Sequence, residues 1–440
     1  VLFEEEKEAR NKWSFLASAN ESFLRQKSRI RWCDEGDSNT QFFHNSVKAH
    51  ISRNRIFSLR NDDDERISEQ NQLKQMVVDY YQQLLGSKNL TVQPLSVEQI
   101  RELNSFRCSA DLATQLSAIP TPEEVTATLF SLPRNKAPGP DGFTADFFIS
   151  SWTIVGPCLI EAVIEFFKSG KLQKQVNATI LALIPKTSSA DKLGDFCPIS
   201  CCNTIYKVIS RILAKRLKLF MGLAVQRNQV AFIKGRLLWE NVLLASELVV
   251  DFNTPGPVTR GCLQIDLSKA FDNIDWEFLI NILKAFDLPP LFINWLSTCI
   301  TTASFFVAFN GELIGYFPGE KRLRQGNSIS APLFTLVMDI LSKQLDAAVT
   351  QGSLGTHPLC VDPLITHLSF EDDILVFFDG TEASLVAILD ILAHFKSNSG
   401  LSINLTKSCL FLDGDNQDLI SLLAARHNVS HGSLPVRYLG

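Results

Sequence analysis

The sequence predicts an α+β fold in which a mainly helical first part precedes a ferredoxin-like split βαβ sheet. Two observations support this prediction. From residue 261 the hydrophobic pattern runs strand, helix, strand, strand, helix, strand, with a hairpin at 304–317 set aside as an insertion. Before residue 261 the apolar residues recur mostly at helical spacing. The chain has 440 residues, 45% of them hydrophobic, which is enough for two or three globular domains.

Composition argues against several classes of protein. No leader segment opens the chain, and no apolar run approaches the roughly 20 residues of a membrane helix. We therefore expect an intracellular protein that is not secreted and has no membrane partner. The ten cysteines lack a C-x-x-C pair, so we expect structural, reduced thiols. The net charge of -5 gives no global attraction for nucleic acid, and any such binding would need local basic patches.

The N-terminal region predicts a helix over residues 4–32 that leads into a basic segment, FLRQKSRIRW. This segment carries Arg25, Lys27, Arg29 and Arg31, and aromatic side chains are interleaved with them. Such a pattern meets phosphates and stacks on bases, but a solvated helix face produces it equally well. Further on, QLKQMVVDYYQQLL predicts an amphipathic helix.

The middle of the chain predicts helices separated by a loop. Thr121 is placed as an N-cap, because acidic residues follow it in the first turn of the predicted helix. The segment NKAPGPDGF predicts a loop from its proline and glycine content. Helical periodicity then covers residues 158–170 and 203–220.

The C-terminal half predicts the sheet. The hairpin at 304–317 should turn at Asn310-Gly311, a dipeptide that favours two-residue turns. The remaining elements are predicted as strands at 261–267, 364–370, 374–378 and 401–412, and as helices at 275–286, 330–349 and 384–396.

Three consecutive acids, Glu371, Asp372 and Asp373, stand between two apolar strands, and Asp266 ends the first strand of the sheet. In a split βαβ sheet these strand ends lie side by side. Carboxylates on adjacent strands suit Mg²⁺, and two ions about 3.5 to 4 Å apart align a hydroxyl with a phosphate for phosphoryl transfer. The alternative is an exposed acidic turn, which needs no metal.

Ordered motifs now point to a family. They include NKAPGPDGFTADFF, LALIPK, PISCCNTIYKVISRILAKRLK, QVAFIKGR, QIDLSKAFDNIDWEFL, LRQGNSISAPLF, ITHLSFEDDILVFF and SGLSINLTKS. Together with FLRQKSRIRW and EGDSNTQFFH upstream, they resemble the reverse transcriptases of non-LTR retrotransposons, in particular the LINE-type elements abundant in plant genomes. The resemblance covers nearly the whole chain.

The resemblance implies a role for individual residues. Asp266 and Asp372, with Asp373 beside them, would be the catalytic metal ligands for Mg²⁺, or for Mn²⁺ in its place. Phe271 would pack against the sugar of the incoming nucleotide, although its spacing alone also fits a core residue. Gln325 and Gly326 would form the loop beside the nucleotide and template. Lys186 would lie near the triphosphate.

The resemblance also implies an architecture and partners. We expect the fingers and palm of a right-hand polymerase, acting on an RNA template, a DNA primer and deoxynucleoside triphosphates in the nucleus and cytoplasm. The oligomeric state is not specified. Neither end looks natural, so we expect a piece of a longer protein, without its endonuclease. The expected parts are a basic, template-binding helical extension at 1–95, a linker at 96–120, fingers and part of the palm at 121–260, and palm at 261–440, ending before the thumb.

Three positions depart from the family pattern. Glu371 replaces the alanine of F-A-D-D, Cys197 replaces the arginine of R-P-I-S, and Asn327 begins Asn-Ser where Asp-Pro is usual. A thiol does not supply the fixed fork of donors of a guanidinium. We therefore hypothesise a decaying copy with weakened activity. An inactive relic or a nucleic-acid-binding protein of the same fold is the alternative.

Overall fold

The computed structural model describes residues 2–28, 45, 46, 48, 49, 52, 54–252, 254, 259–268, 270–414 and 417–436. Its main helices, numbered in chain order, are α1 Leu2–Ser28, α2 Gln70–Leu85, α3 Val97–Leu103, α4 Ala110–Ser117, α5 Pro122–Phe130, α6 Ala145–Ser150, α7 Trp152–Ser169, α8 Thr204–Ala224, α9 Leu238–Leu248, α10 Trp276–Ala285, α11 Pro290–Thr301, α12 Ser330–Thr350, α13 Glu382–Ser399 and α14 Gln417–Arg426. The strands are β1 Leu59–Arg60, β2 Arg66–Ile67, β3 Ala178–Pro185, β4 Phe196–Cys202, β5 Gly261–Ile265, β6 Leu267–Ser268, β7 Ser304–Phe309, β8 Glu312–Pro318, β9 His367–Phe370, β10 Asp373–Phe378, β11 Ser402–Ile403, β12 Cys409–Leu412 and β13 Ser430–His431.

The larger sheet has five strands in the order β13-β12-β5-β10-β9. Strands β12, β5, β10 and β9 are the fourth, first, third and second of the split βαβ unit, and each pairs antiparallel with its neighbour. The predicted ferredoxin-like sheet is therefore confirmed, with β13 added in parallel at one edge. The hairpin from β9 to β10, at one edge of this sheet, joins at the acidic residues as predicted.

Both faces of this sheet are buried. Along β10, Ile374, Val376 and Phe378 point into the main hydrophobic core, which α8, α10, α12 and α13 complete. Leu375 and Phe377 alternate with them and enter a second core under α9. Because alternate side chains of a strand point to opposite faces, the run ILVFF has no polar position. This burial holds the strand ends, and the acids beyond them, in a fixed register.

The second sheet has four strands in the order β4-β3-β7-β8. Strand β3 pairs antiparallel with β4 and parallel with β7. The hairpin β7 to β8 turns at Asn310 and Gly311, whose φ angles of 48° and 91° fit a two-residue turn with two positive φ values. The predicted turn is confirmed. The hairpin also stays outside the five-stranded sheet, as predicted, because it completes this second sheet.

Helix α2 covers the four-stranded sheet. Its buried side chains recur every four residues, at Leu73, Val77, Tyr81 and Leu85, and they share a core with Leu181, Phe305 and Phe309 of the sheet. The predicted amphipathic helix is confirmed. It belongs to the core of the sheet, although the sequence assigned it to an extension that ends at residue 95.

Of three further predictions, the N-terminal helix is found in part, the N-cap at Thr121 is confirmed, and the expected linker at 96–120 contains helices. The predicted helix at 4–32 is found as α1 as far as Ser28. The basic segment begins inside this helix, and its part from residue 29 onward lies outside the described residues. Thr121 caps α5 by accepting a hydrogen bond from the Glu124 N–H, as predicted. Region 96–120, expected to be a linker, contains α3 and α4.

The first and last strands of the split βαβ unit are interrupted, contrary to the prediction of continuous strands at 261–267 and 401–412. The reason is a local exchange of hydrogen bonds: the Asp266 carbonyl accepts from the Asn404 N–H at 2.8 Å. The Asp266 N–H donates to Ser408 Oγ at 3.2 Å. The backbone of Asp266 is thus held by a turn between β11 and β12.

We predict that Leu73→Ala, at a fully buried position of α2, lowers the free energy of unfolding by about 2–5 kcal/mol, because it leaves a cavity between α2 and the sheet. Gln83→Ala, at an exposed position of α2, should change it by less than about 0.5 kcal/mol. Denaturant unfolding followed by circular dichroism measures both. Equal effects would show that α2 does not belong to this core.

Candidate nucleotidyl-transfer site

A cavity of about 270 Å³ lies between the two sheets. It is lined by side chains from both halves of the molecule: Tyr80, Tyr81, Leu84, Lys186, Phe196, Cys197, Pro198, Leu267, Ala270, Phe271, Asp272, Gln325, Glu371 and Asp372. Four of the residues that the sequence selected are among them, namely Lys186, Phe271, Gln325 and Asp372. The structure therefore gathers residues that are far apart in the chain around one space.

The acidic residues stand at the end of the cavity where the central strands stop. The register pairs Ile374 of β10 with Ile265 of β5, so Asp373 and Asp266 occupy the next, facing positions of the two antiparallel strands. Asp372 precedes them in the turn between β9 and β10. The structure thus brings Asp266, Asp372 and Asp373 to one edge of the sheet, where the sequence expected them.

The turn that carries Asp372 is tight. Phe370 pairs with Asp373, which leaves Glu371 and Asp372 as a two-residue loop. Glu371 has φ +58°, a left-handed conformation that a residue with a side chain adopts at some cost. The family's alanine position is therefore a strained turn position.

The electrostatics of this edge favour a cation. Burial, and then the charge of Asp266, raises the pKa of Asp372; burial and the charges of Asp372 and Asp266 raise that of Asp373. Burial, followed by the charges of Asp372 and Asp373, raises the pKa of Glu371 to about 7. Within the described part of the chain, none of the ion pairs involves these acids. Additional positive charge would stabilise their ionised forms.

The carboxylates suit a magnesium ion that is shared with a substrate. Among the described residues, no three His, Cys, Asp or Glu side chains come close enough to hold a metal by themselves. Mg²⁺ seldom needs such a cage, because it is commonly bound by one or two carboxylates together with substrate phosphates and water. The donor set of Asp266, Asp372 and Asp373 therefore fits Mg²⁺ in the company of a nucleotide.

Phe271 packs in the core, as its spacing alone allowed, and also borders the cavity. Its ring stacks on Phe334 of α12 with centroids 4.7 Å apart, and it also lines the cavity. Its carbonyl accepts from the Leu323 N–H at 2.8 Å, which ties it to the loop that carries Gln325. Core packing thus holds a rigid aromatic wall beside the cavity.

The loop after Arg324 is shaped by Gly326, which has φ +90°. Gly326 does not line the cavity itself. The Gln325 carbonyl accepts from the Ser200 N–H at 3.2 Å, and the Gln325 Oε1 accepts from the Cys197 thiol at 3.0 Å. The cysteine that replaces the family's arginine is therefore bonded to the glutamine that we expected to face the nucleotide.

Lys186 lines the cavity from the end of β3, and its Nζ donates to the Gly194 carbonyl at 3.1 Å. Four other selected residues remain untested by the geometry. The side chains of Arg25 and Lys27 are not described, and Arg29 and Arg31 lie outside the described residues.

Sequence reasoning missed three residues that line or support the cavity. Tyr80 and Tyr81 of α2 line the cavity. The apolar periodicity of their segment predicted an amphipathic helix and gave no sign of this position. Buried Arg322 lies with its Nε 3.2 Å from Asp272 Oδ1, an ion-pair distance without hydrogen-bond alignment, and it donates to the Pro198 carbonyl at 2.7 Å. It thereby joins the segment of Phe271 to β4. No local motif marked this long-range contact.

The fold is that of the fingers and palm of a right-hand polymerase, with the acids at the expected palm edge. The reverse transcriptase (RNA-dependent DNA polymerase) family matches residues 184–440. The chain belongs to this family, as its motifs predicted. The structure describes no helix of the length and apolarity that a bilayer crossing requires.

The relatives come from mobile elements, consistent with the non-LTR retrotransposon class. The chain is 26% identical over 424 residues to the "Transposon TX1 uncharacterized 149 kDa protein" of Xenopus laevis, a match that covers 94% of this chain and 31% of that protein. It is 25% identical over 287 residues to the "Retrovirus-related Pol polyprotein from type-2 retrotransposable element R2DM" of Drosophila melanogaster, covering 65% and 26%. The chain thus spans less than a third of either relative.

A solved structure of apo telomerase from Candida tropicalis, truncated from its C-terminal domain, also aligns with the chain. The TM-score is 0.41 at 14% identity, over 56% of this chain and 52% of that one.

We predict that Gly326→Ala lowers the free energy of unfolding by about 1–2 kcal/mol, because alanine pays for the left-handed backbone while its Cβ meets no closer atom than the Ser200 carbonyl at 4.0 Å. Gly222→Ala, in α8 with open space around the added Cβ, should instead raise it by about 0.5–1 kcal/mol. Thermal and denaturant unfolding measure both signs. A stabilising Gly326→Ala would contradict the assigned loop conformation.

Proposed function

We propose that this chain is an RNA-directed DNA polymerase that adds deoxynucleotides to the 3′ end of a DNA primer on an RNA template. The observation that carries the proposal is the single cavity in which Lys186, Phe271, Gln325 and Asp372 meet. These residue types provide a cation for phosphates, an aromatic surface for a sugar, an amide, and a carboxylate for a metal. Family membership supports the same chemistry.

In the proposed mechanism, each side chain has a separate task. Asp266, Asp372 and Asp373 would hold divalent ions, Mg²⁺ or Mn²⁺ in its place, and the bound ions would supply Lewis-acid polarisation of the phosphate and the primer hydroxyl. Phe271 packs against the deoxyribose and leaves no room for a 2′-hydroxyl. Lys186 neutralises charge on the triphosphate. Because the chemistry needs little covalent help, positioning and charge stabilisation account for most of the rate.

The wider setting is part of the proposal. The chain would derive from a LINE-type element of a plant genome and copy that element's RNA in the nucleus after translation in the cytoplasm. The basic segment with Arg25, Lys27, Arg29 and Arg31 would grip the template. Residues 121–260 would supply the fingers and part of the palm, and 261–440 the rest of the palm.

A catalytically inactive relic is the second candidate, and specific observations favour it. Glu371 adds a carboxylate to an edge that already holds three. Cys197 bonds to Gln325 where the family has an arginine, and Asn327 donates to the Tyr206 hydroxyl at 2.9 Å. The fold accommodates all three replacements. A chain that has lost activity at these positions would therefore still fold in this way.

Primer extension on poly(rA)/oligo(dT) with Mg²⁺ and then Mn²⁺ tests the proposed activity. We expect weak extension by the unmodified chain and a loss of about 100-fold or more in Asp372→Ala, because a misplacement of about 1 Å can already cost about 100-fold and this variant removes a metal ligand. Glu371→Ala, Cys197→Arg and their combination should each extend faster. Equal extension by the unmodified chain and Asp372→Ala would refute the assignment. Extension only by the reverted variants would identify a relic.

Nucleotide binding can be tested without catalysis through the Cys197 thiol, which lines the cavity and is partly accessible. We expect iodoacetamide to label Cys197 roughly tenfold more slowly when a matched deoxynucleotide and Mg²⁺ are present at ten times the Kd. Cys158, exposed on α7, is the control and should label at an unchanged rate. Mass spectrometry of each peptide gives both rates. An unchanged labelling rate of Cys197 would show that the nucleotide does not bind in this cavity.

A further inference from the structure

Strand β9 is the outermost strand of the five-stranded sheet. Residues 228–230 run along that edge. The Ser369 N–H donates to the Asn228 carbonyl at 3.0 Å, and the Val230 N–H donates to the Ser369 carbonyl at 3.2 Å. Asn241 of α9 adds a side-chain bond to the same Ser369 carbonyl at 3.2 Å. The short segment before α9 is therefore attached to the strand that leads into the acidic turn.

Gln229 extends this attachment into the turn itself. Its Oε1 accepts from the Glu371 N–H at 3.2 Å, and its Nε2 donates to the Glu371 carbonyl at 3.4 Å. The same Oε1 also accepts from the Ala231 N–H at 2.9 Å. Gln229 is only 1% exposed, so water does not replace these bonds. One buried carboxamide thus grips both backbone groups of Glu371.

The two hydrogen bonds from Gln229 hold a residue whose backbone conformation is strained. Glu371 has φ +58°, where the backbone has little intrinsic preference to stay. Its N–H and carbonyl belong to the two peptide planes on either side of its Cα. The second plane continues into Asp372. Fixing both planes therefore fixes the direction in which the Asp372 side chain leaves the turn.

We infer that Gln229 is a positioning residue for the metal-binding edge, acting on Asp372 through the backbone of Glu371. The inference rests on the proposed function, since it concerns the metal ligand of that same site. It predicts that the clamp is needed for metal affinity and not only for folding. Partners that orient a metal ligand in this way typically account for 10- to 100-fold in affinity.

The test compares two buried amides that bond to the same hairpin. Gln229→Met keeps the length of the side chain and removes the clamp on Glu371. Asn241→Ala, also buried, removes a bond to Ser369 and leaves the clamp intact. Hydrogen–deuterium exchange should show faster exchange in the peptide containing Glu371 and Asp372 only for Gln229→Met. Titration with Mn²⁺, followed by electron paramagnetic resonance, should show affinity about tenfold weaker for Gln229→Met and nearly unchanged for Asn241→Ala.

Asp372→Ala separates failure of this inference from failure of the proposed function. If Asp372→Ala loses Mn²⁺ binding but Gln229→Met keeps full affinity, Gln229 is a structural residue and the inference is wrong. If both amide variants lose affinity in proportion to their melting temperatures, the effect is one of stability and the inference is also wrong. If Asp372→Ala binds Mn²⁺ like the unmodified chain, the metal site is misassigned, and the proposed function and the inference fall together.

Discussion

The gathering of carboxylates at one edge of a buried sheet is the constraint on which the rest of this structure depends. Desolvation and mutual repulsion raise the pKa values of Asp372 and Asp373, so their ionised forms need help from a cation. The sheet tolerates them because both of its faces are filled with apolar side chains, which hold β5 and β10 in register. Packing thereby stabilises a polar arrangement that is unfavourable by itself.

The palm was largely predictable from the sequence because its elements have clear periodicity. The strand ILVFF and the helix at 384–396 are typical examples, and the position of Asp372 followed from them. Strands β3 and β4 were not predicted, since short apolar runs such as ATILALIP do not distinguish a strand from part of a buried helix. The interruption at Asp266 was also missed, because it depends on a hydrogen bond with Asn404, a partner distant in the chain.

The contributors that sequence reasoning missed share one property. Tyr81, Arg322 and Gln229 act through tertiary contacts with segments more than 100 residues away. Gln229 begins the family motif QVAFIKGR, but nothing in that motif predicts its contact with the acidic turn. Helix α2 shows the point most clearly: its apolar period predicts a buried face, but only the fold reveals that this face ends in the cavity. Conversely, Cys197, Glu371 and Asn327 depart from the family pattern and still find hydrogen-bond partners. Residues that depart from the family's chemistry can therefore still satisfy the hydrogen-bonding needs of the fold.

The most direct test of the central claim is to locate the metal in the chain. Fe²⁺ substituted for Mg²⁺ generates hydroxyl radicals that cleave the backbone next to the bound ion. With ascorbate and peroxide present, cleavage should occur near Asp266 and near Asp372 in the same molecules, and excess Mg²⁺ should suppress it. Cleavage at one of these places alone, or at neither, would contradict the account that the two strand ends form one metal site.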